Sequence, residues 1–314
     1  MTPGKSYLSS DEIRPLAERS DVMGFWLVVH CWGTIALAIG LFALWPNPLS
    51  FLVAVMVIGS RQLGLAILMH EAAHNALFKN RKWNDTVGEW LCGRPILAEL
   101  AAYRHYHLTH HRFTQTDKDP DLKLSSKFPT SKASLKRKFT RDLTGQTGAK
   151  QLIGQILMSF RLAGDEDAIE AAASDFAQSF KAPHLWKSLP VFVSIAVLMS
   201  LIGDWWWGLA FWLLPYLTWF QFVLRVRNIA EHGAVEQSQN PLQNVRTTKA
   251  GPIARLFVAP YWVNFHLEHH MVMHVPCWQL KHMHKALIAK GLGPDMRIAR
   301  GYGQALAEAG WKRA

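Results

Sequence analysis

The sequence predicts an all-α integral membrane protein: four transmembrane helices in two hairpins, with a cytoplasmic helical cap that carries clustered histidines. Two observations lead there. Several apolar stretches of the 314-residue chain approach bilayer length, and lysine and arginine are absent from the turns between them and, Arg61 and the helix ends apart, from the stretches themselves. A bilayer core needs about 20 apolar residues per helix. The mean hydropathy of +0.03 is compatible with this, because about half of the chain lies outside the apolar stretches.

The first span is Val22–Trp45, 24 residues without a formal charge. The second, Pro48–Met69, is interrupted only by Arg61 and Gln62. Leu189–Gly203 is short for a span and borrows Leu185–Ser188 at its start; Trp205–Val226 completes the second pair. The predicted spans are thus about 22–45, 48–69, 187–203 and 205–226, within one domain covering 1–314. Pro46–Asn47 and Gly203–Asp204 are the turns. No lysine or arginine occurs from Val22 to Ser60 or from Ser188 to Leu224. Positive charge stays on the cytoplasmic side. Both turns therefore face away from the cytoplasm, and both termini and the block from about Glu71 to Lys187 face it, in a bacterial-type inner membrane. Val87–Tyr103 is apolar but broken by Gly93 and Pro95, which suits an interfacial or re-entrant segment. Gln151–Ala163 has the spacing of an amphipathic helix, lying on the membrane surface or packed in the cap.

The net charge of +11 follows from this topology and from anionic lipid headgroups. The densest basic run, Lys132–Arg141, reads as a membrane-surface segment. No nucleic-acid motif accompanies the charge, so nucleic acid is not an expected partner. The polar, mixed-charge N-terminus does not read as a signal peptide. Cys31, Cys92 and Cys277 form no C-x-x-C pair, which argues against disulfides and an iron–sulfur centre.

The histidines carry the chemistry. Nine of the fifteen fall into ligand-spaced groups: His70 and His74 in H-E-A-A-H; His107, His110 and His111 in H-L-T-H-H; His232; and His266, His269 and His270 in H-L-E-H-H. Residues three and four apart share a helix face, so each group aims its imidazoles at one region. Imidazole suits iron, zinc and copper. Nine are too many for one ion and suit two. His30, His105, His184, His274, His282 and His284 lie outside the groups and read as ordinary polar residues. H-E-A-A-H alone also matches a zinc metalloprotease motif, with Glu71 as general base. That reading needs one further ligand and leaves both H-x-x-H-H groups unused.

Taken together, H70EAAH74 after the first hairpin, H107LTHH111 trailed by D119PD121, R227NIAEHG233 and N264FHLEHH270 after the second hairpin resemble the membrane fatty acid desaturase superfamily, with its hydroxylases and ketolases. The resemblance covers about residues 20–285. It implies two non-haem irons held by the nine histidines, with O2 as co-substrate. Asn228, four residues before His232, would contact one iron through water; its plain alternative is a helix C-terminal cap. Division of the ligands between the irons is left open. Hydrogen removal from an unactivated methylene needs a metal–oxygen oxidant, because side chains supply none. Desaturation of an acyl or lipid-like chain is the first reading; hydroxylation or ketolation, of a lipid or carotenoid, is the second. A non-catalytic metal-binding membrane protein is the remaining alternative.

Ligand orientation must come from partners on the free ring nitrogens. Glu71, Asp119, Asp121, Glu231 and Glu268 are the candidates, against ordinary solvated charge or helix capping. Arg61, inside a span, faces a cavity or snorkels. The aromatics of Trp205–Trp207 and Phe211–Phe222 line an acyl tunnel or, more simply, mark the interface and pack between spans. The chain has no flavin, nicotinamide or haem fingerprint, so electrons come from an external carrier, ferredoxin-like or similar, with its reductase. A basic cytoplasmic face suits an acidic carrier.

Overall fold

The structure is a computed structural model and describes residues 7–161 and 185–310. His184 and the end of the amphipathic segment beyond Arg161 lie outside the described residues. The protein is mostly helical. Among the described residues the only sheet is a parallel pairing of Thr247–Thr248 with Ile298–Ala299.

Four helical stretches are long and apolar enough to cross a membrane: α1 (Asp21–Leu44), α2 (Pro48–Ala73), α6 (Leu185–Ile202) and the segment Leu209–His232, which ends in α7 (Trp219–His232). Ser20 caps α1 through its hydroxyl, which accepts from the Met23 N–H at 3.3 Å. Pro46 ends the first span and Asn47 starts the second. The Asn47 side chain accepts from the Leu49 and Ser50 amides at 3.0 and 3.1 Å, and Pro48 occupies the first helical turn, where a missing N–H costs nothing.

α2 is buried along most of its length and packs against α1, α7, α3 (Leu100–Phe113) and α8 (Pro252–Phe257). α1 and α6 instead expose apolar side chains, among them Val22, Val29, Leu37, Val197 and Leu201. Apolar surface of this extent marks contact with lipid.

The helix ends differ from the sequence expectation in two places that matter. The second span does not stop at Met69: α2 continues to Ala73, and His74 is its C-cap. The fourth starts later than expected, because Trp205 and Trp206 are taken up in the turn after Ile202, where Trp207 N–H donates to Asp204 O at 2.9 Å. It then runs beyond Val226 to His232, so that histidine sits in the last helical turn and not beyond it. The arginines near this end are neutralised in place. Arg225 pairs with the buried Asp142 of α4 (Lys132–Leu143), and Arg227 pairs with Glu231 at 2.8 Å.

Val87–Tyr103 forms no fifth long helix. It is a π-helical turn, Gly88–Gly93, then a short 3-10 turn, Arg94–Ile96, with Leu97 left-handed at φ 60° before α3 begins. α5 (Gln146–Arg161) exposes Ile153 and Leu157 and buries Gln155 and Ser159. That inverted polarity is the pattern of a helix with lipid outside and protein inside. The basic run forms most of α4, capped by Ser131.

Gly88 lets the π-turn sit directly on the H-E-A-A-H segment. A Cβ at that position would lie 2.4 Å from the Ala72 Cβ, between His70 and His74. Gly88→Ala is therefore expected to destabilise the protein by about 1–3 kcal/mol through overpacking. A lowered thermal midpoint of the purified variant checks this; an unchanged midpoint would mean the contact can relax.

Candidate metal centre

Four elements deliver the clustered histidines to one place. The end of α2 brings His70 and His74, α3 brings His107, His110 and His111, the last turn of α7 brings His232, and α9 (His266–Met271) brings His266, His269 and His270. Eight of these side chains are buried and His111 is partly buried.

The structure divides them. His70, His74, His107, His111 and His269 form one group whose ring nitrogens lie within 4.8 Å of one another. Nε2 of His111 is 3.0 Å from Nε2 of both His107 and His269. The second group joins His110, His232, His266 and His270. Nε2 of His266 lies 2.8 Å from that of His232 and 3.1 Å from that of His270, which in turn is 3.4 Å from that of His110. The sequence left this division open. The outlying histidines behave as expected of ordinary polar residues. Among the described ones, His30, His105 and His282 are exposed, and none joins either group.

Both groups suit a cation. Nε2 of His70 and of His74 is buried without a hydrogen-bond partner, a costly state for a lone pair that a metal ion would relieve. Burial, helped by Arg104, pushes the His74 imidazole down to about 3. Burial likewise holds His107, His111, His266, His269 and His270 well below the usual imidazole range. They are neutral at physiological pH, the form that binds metal. His110 is the exception. Burial pulls it down too, but the Asp121 and Asp119 carboxylates outweigh that and leave it above its usual value.

The candidate partners of the ligands sort into three kinds. Asp119 and Glu71 reach outer ring nitrogens. Asp119 Oδ1 accepts from His110 Nδ1 at 2.8 Å and from the Asp121 N–H at 2.8 Å, while its Oδ2 accepts from the Gln115 N–H at 2.8 Å. Glu71 lies 3.2 Å from His70 Nδ1, and its other oxygen accepts from the Cys277 N–H at 2.8 Å. Asp121 is at 3.6 Å from His110 Nδ1 and accepts from the Tyr106 hydroxyl. Burial raises its carboxyl, and His110 partly offsets that.

Glu231 differs from expectation. Its Oε2 lies 3.5 Å from Nε2 of His266, on the side where the second group's nitrogens converge, and Arg227 holds the other oxygen. With His232 and His266 it forms a set of buried atoms that could itself hold an ion. Glu268 differs more. It pairs with His284 Nδ1 at 2.5 Å and accepts from Thr247, so it braces α9 from behind and touches no clustered histidine. Its backbone position inside the motif does not reveal this, because the side chain leaves on the opposite face of the helix. Thr114 went unnoticed in the sequence. Its hydroxyl donates to the His110 carbonyl at 2.8 Å and sits 3.3 Å from His270 Nδ1.

Asn228 is not a helix cap; Gly233 closes α7, donating to Ile229 O. Asn228 instead lines a small cavity of about 30 Å³ with His110, Glu231, His232 and His266. The aromatics after Trp207 pack between helices: Phe211 stands 5.0 Å from Phe42 and 5.7 Å from Phe51. The zinc-protease alternative accounts poorly for this site, since His70 and His74 converge with three further imidazoles and not one.

Two buried histidine clusters, drawn from the ends of two membrane-length helices and from the shorter α3 and α9, fit a membrane oxidoreductase of desaturase or oxygenase type, the class to which the family comparison points. The chain belongs to the fatty acid desaturase family, whose model matches residues 43–298. It is 27% identical over 286 residues to dihydrorhizobitoxine desaturase of Bradyrhizobium elkanii, covering 88% of this chain and 76% of that one. It is 23% identical over 297 residues to the beta-carotene ketolase of Paracoccus sp. (strain PC1), covering 91% and 98%. The sn-1 oleoyl-lipid 12-desaturase of Synechocystis sp. is 26% identical over 246 residues, covering 73% and 66%.

Proposed function

We propose that this protein is an O2-dependent di-iron desaturase that introduces a carbon–carbon double bond into an acyl or lipid-like chain. The observation that supports this most is the division of nine imidazoles into groups of five and four that share two helices. His70, His74, His107, His111 and His269 would hold one iron; His110, His232, His266 and His270 would hold the other, with Asn228 reaching it through water. Two reduced irons held there would give electrons to O2 and so supply the strong oxidant of C–H bonds that side chains lack. A –CH2–CH2– unit loses two hydrogens; O2, two electrons from the carrier and two protons account for them as two waters.

The chain's own residues prepare that chemistry. Burial keeps bulk water out and holds His74, His107, His111, His266, His269 and His270 in the neutral form. Asp119 fixes the ring of His110 by accepting a hydrogen bond from its Nδ1–H, which turns Nε2 inward, and Glu71 is placed to do the same for His70. Arg227 restrains Glu231 beside the second group. The whole chain acts as one domain in two hairpins, in a bacterial-type inner membrane with both termini and the site cytoplasmic. A ferredoxin-like carrier with its reductase supplies electrons.

A hydroxylase or ketolase is the second reading, favoured by the match along 98% of the length of a carotenoid ketolase. Lipid mass spectrometry separates the two, comparing aerobic cells that express the wild type with cells expressing His269→Ala. Products lighter by two hydrogens, made only by the wild type, are expected. Products heavier by one oxygen would replace desaturation with the second reading. Identical lipids, in cells holding intact iron-loaded protein, would overturn action on host lipids.

A further inference from the structure

A second polar site lies away from the histidines. Arg61 is buried (3% exposed) in the middle of α2, nine residues before His70, or about 14 Å along the helix. It lines a cavity of about 180 Å³ with Trp26, His30, Arg255, Tyr261 and Trp262, none of which belongs to the histidine groups.

Part of Arg61 has a structural task. Its Nη2 donates to the Arg255 and Leu256 carbonyls at 3.1 and 2.8 Å, capping the end of α8, and its guanidinium lies over the Tyr261 ring at 5.6 Å. That task does not need the second cation. The Arg255 guanidinium lines the same cavity and donates no hydrogen bond to another described residue, and Nε of both arginines is buried without a partner. No carboxylate among the described residues lies within ion-pair distance of either. Two like charges in one cavity beside apolar surface are costly unless an anion joins them.

The other walls add polar and aromatic character. Tyr261 and Trp262 are both left-handed (φ 53° and 56°), an uncommon state for bulky residues, and the two consecutive turns present both rings to the cavity. The Tyr261 hydroxyl is 3.1 Å from His30 Nδ1. The surface nearby is apolar: Trp26, Val29, Ile253 and Leu256 are exposed. A ligand there meets guanidinium donors in the cavity and hydrocarbon outside it.

We propose that this cavity binds the anionic head group, carboxylate or phosphate, of a membrane amphiphile. Guanidinium groups suit both oxyanions, and the exposed tryptophan and aliphatic side chains suit the attached chain. This site stands whether or not the desaturase reading does, because its test reads binding and not turnover.

Native mass spectrometry of the detergent-purified full chain tests it, with oleate and dioleoylphosphatidylglycerol as probes and oleyl alcohol and dioleoylglycerol as uncharged controls. Arg255→Gln removes one cation without breaking a hydrogen bond of the fold, and the exposed Arg300→Gln removes the same charge elsewhere. The wild type and Arg300→Gln are expected to retain one equivalent of an anionic probe, and Arg255→Gln to hold it about tenfold more weakly, as for loss of one charge-assisted hydrogen bond. Retention of oleate alone identifies a carboxylate ligand, and of phosphatidylglycerol alone a phosphate. Equal retention by all three proteins, equal losses in both variants, retention of the uncharged controls, or no anion bound to the wild type would each overturn the proposal.

Discussion

His266→Ala is expected to bring the iron content of the purified protein from two per chain to about one, whereas His74→Ala keeps both. The asymmetry follows from the unequal groups. His74 belongs to a set of five imidazoles and its loss leaves four, the number the other set has at full strength. His266 belongs to the set of four, and its Nε2 is the link between those of His232 and His270. Its loss leaves three. Activity should fall at least about 100-fold in both, the upper range for disturbing even a ligand's supporting partner. Metal analysis after dialysis against a chelator reads the difference. Equal iron loss in the two variants would mean that the groups do not act as separate ion sites.

Asp119→Asn should be the most damaging change among the acids around the centre, lowering iron affinity or activity by about 10–100-fold. The carboxylate accepts three hydrogen bonds: from His110 Nδ1, from the Asp121 amide and from the Gln115 amide. An asparagine has one accepting oxygen and sets an NH2 against at least one of these donors. His110 then loses the partner that fixes its ring, or the turn at Gln115 (φ 60°) loses its lock. Asp121→Asn is expected to do much less, because an amide oxygen can still accept from Tyr106. Iron retention under a chelator and thermal midpoints of the two variants give the comparison. Similar losses in both would assign the effect to general charge and not to the hydrogen bonds of Asp119.

The clustered histidines were legible because helix periodicity converts their spacing into a shared face, and all nine converge. The four long apolar helices were legible from the same kind of local pattern. What local pattern does not carry is the roll of one helix against another. The division of ligands depends on how α3 and α9 are turned relative to α2 and α7, and nothing within ten residues of a histidine encodes that. Glu268 shows the same limit. It stands between His266 and His269 in sequence, yet faces Thr247 and His284, whose contributions come from distant segments. The end of the fourth long helix was misplaced for a different reason. Arg225 and Arg227 look like the edge of the apolar region until Asp142 and Glu231 are seen to neutralise them.

The adjacent pairs His110–His111 and His269–His270 each send one imidazole to one group and the next to the other. Neighbours on a helix point about 100° apart, so each pair works as a fork with a fixed opening angle. The spacing between the two ion sites is then an angular property of two helices, set by backbone geometry and independent of any flexible bridging side chain. Turning either helix moves ligands of both sites at once. A change of one metal's size or charge should therefore be felt at the other through the backbone, even though each ion has its own set of ligands.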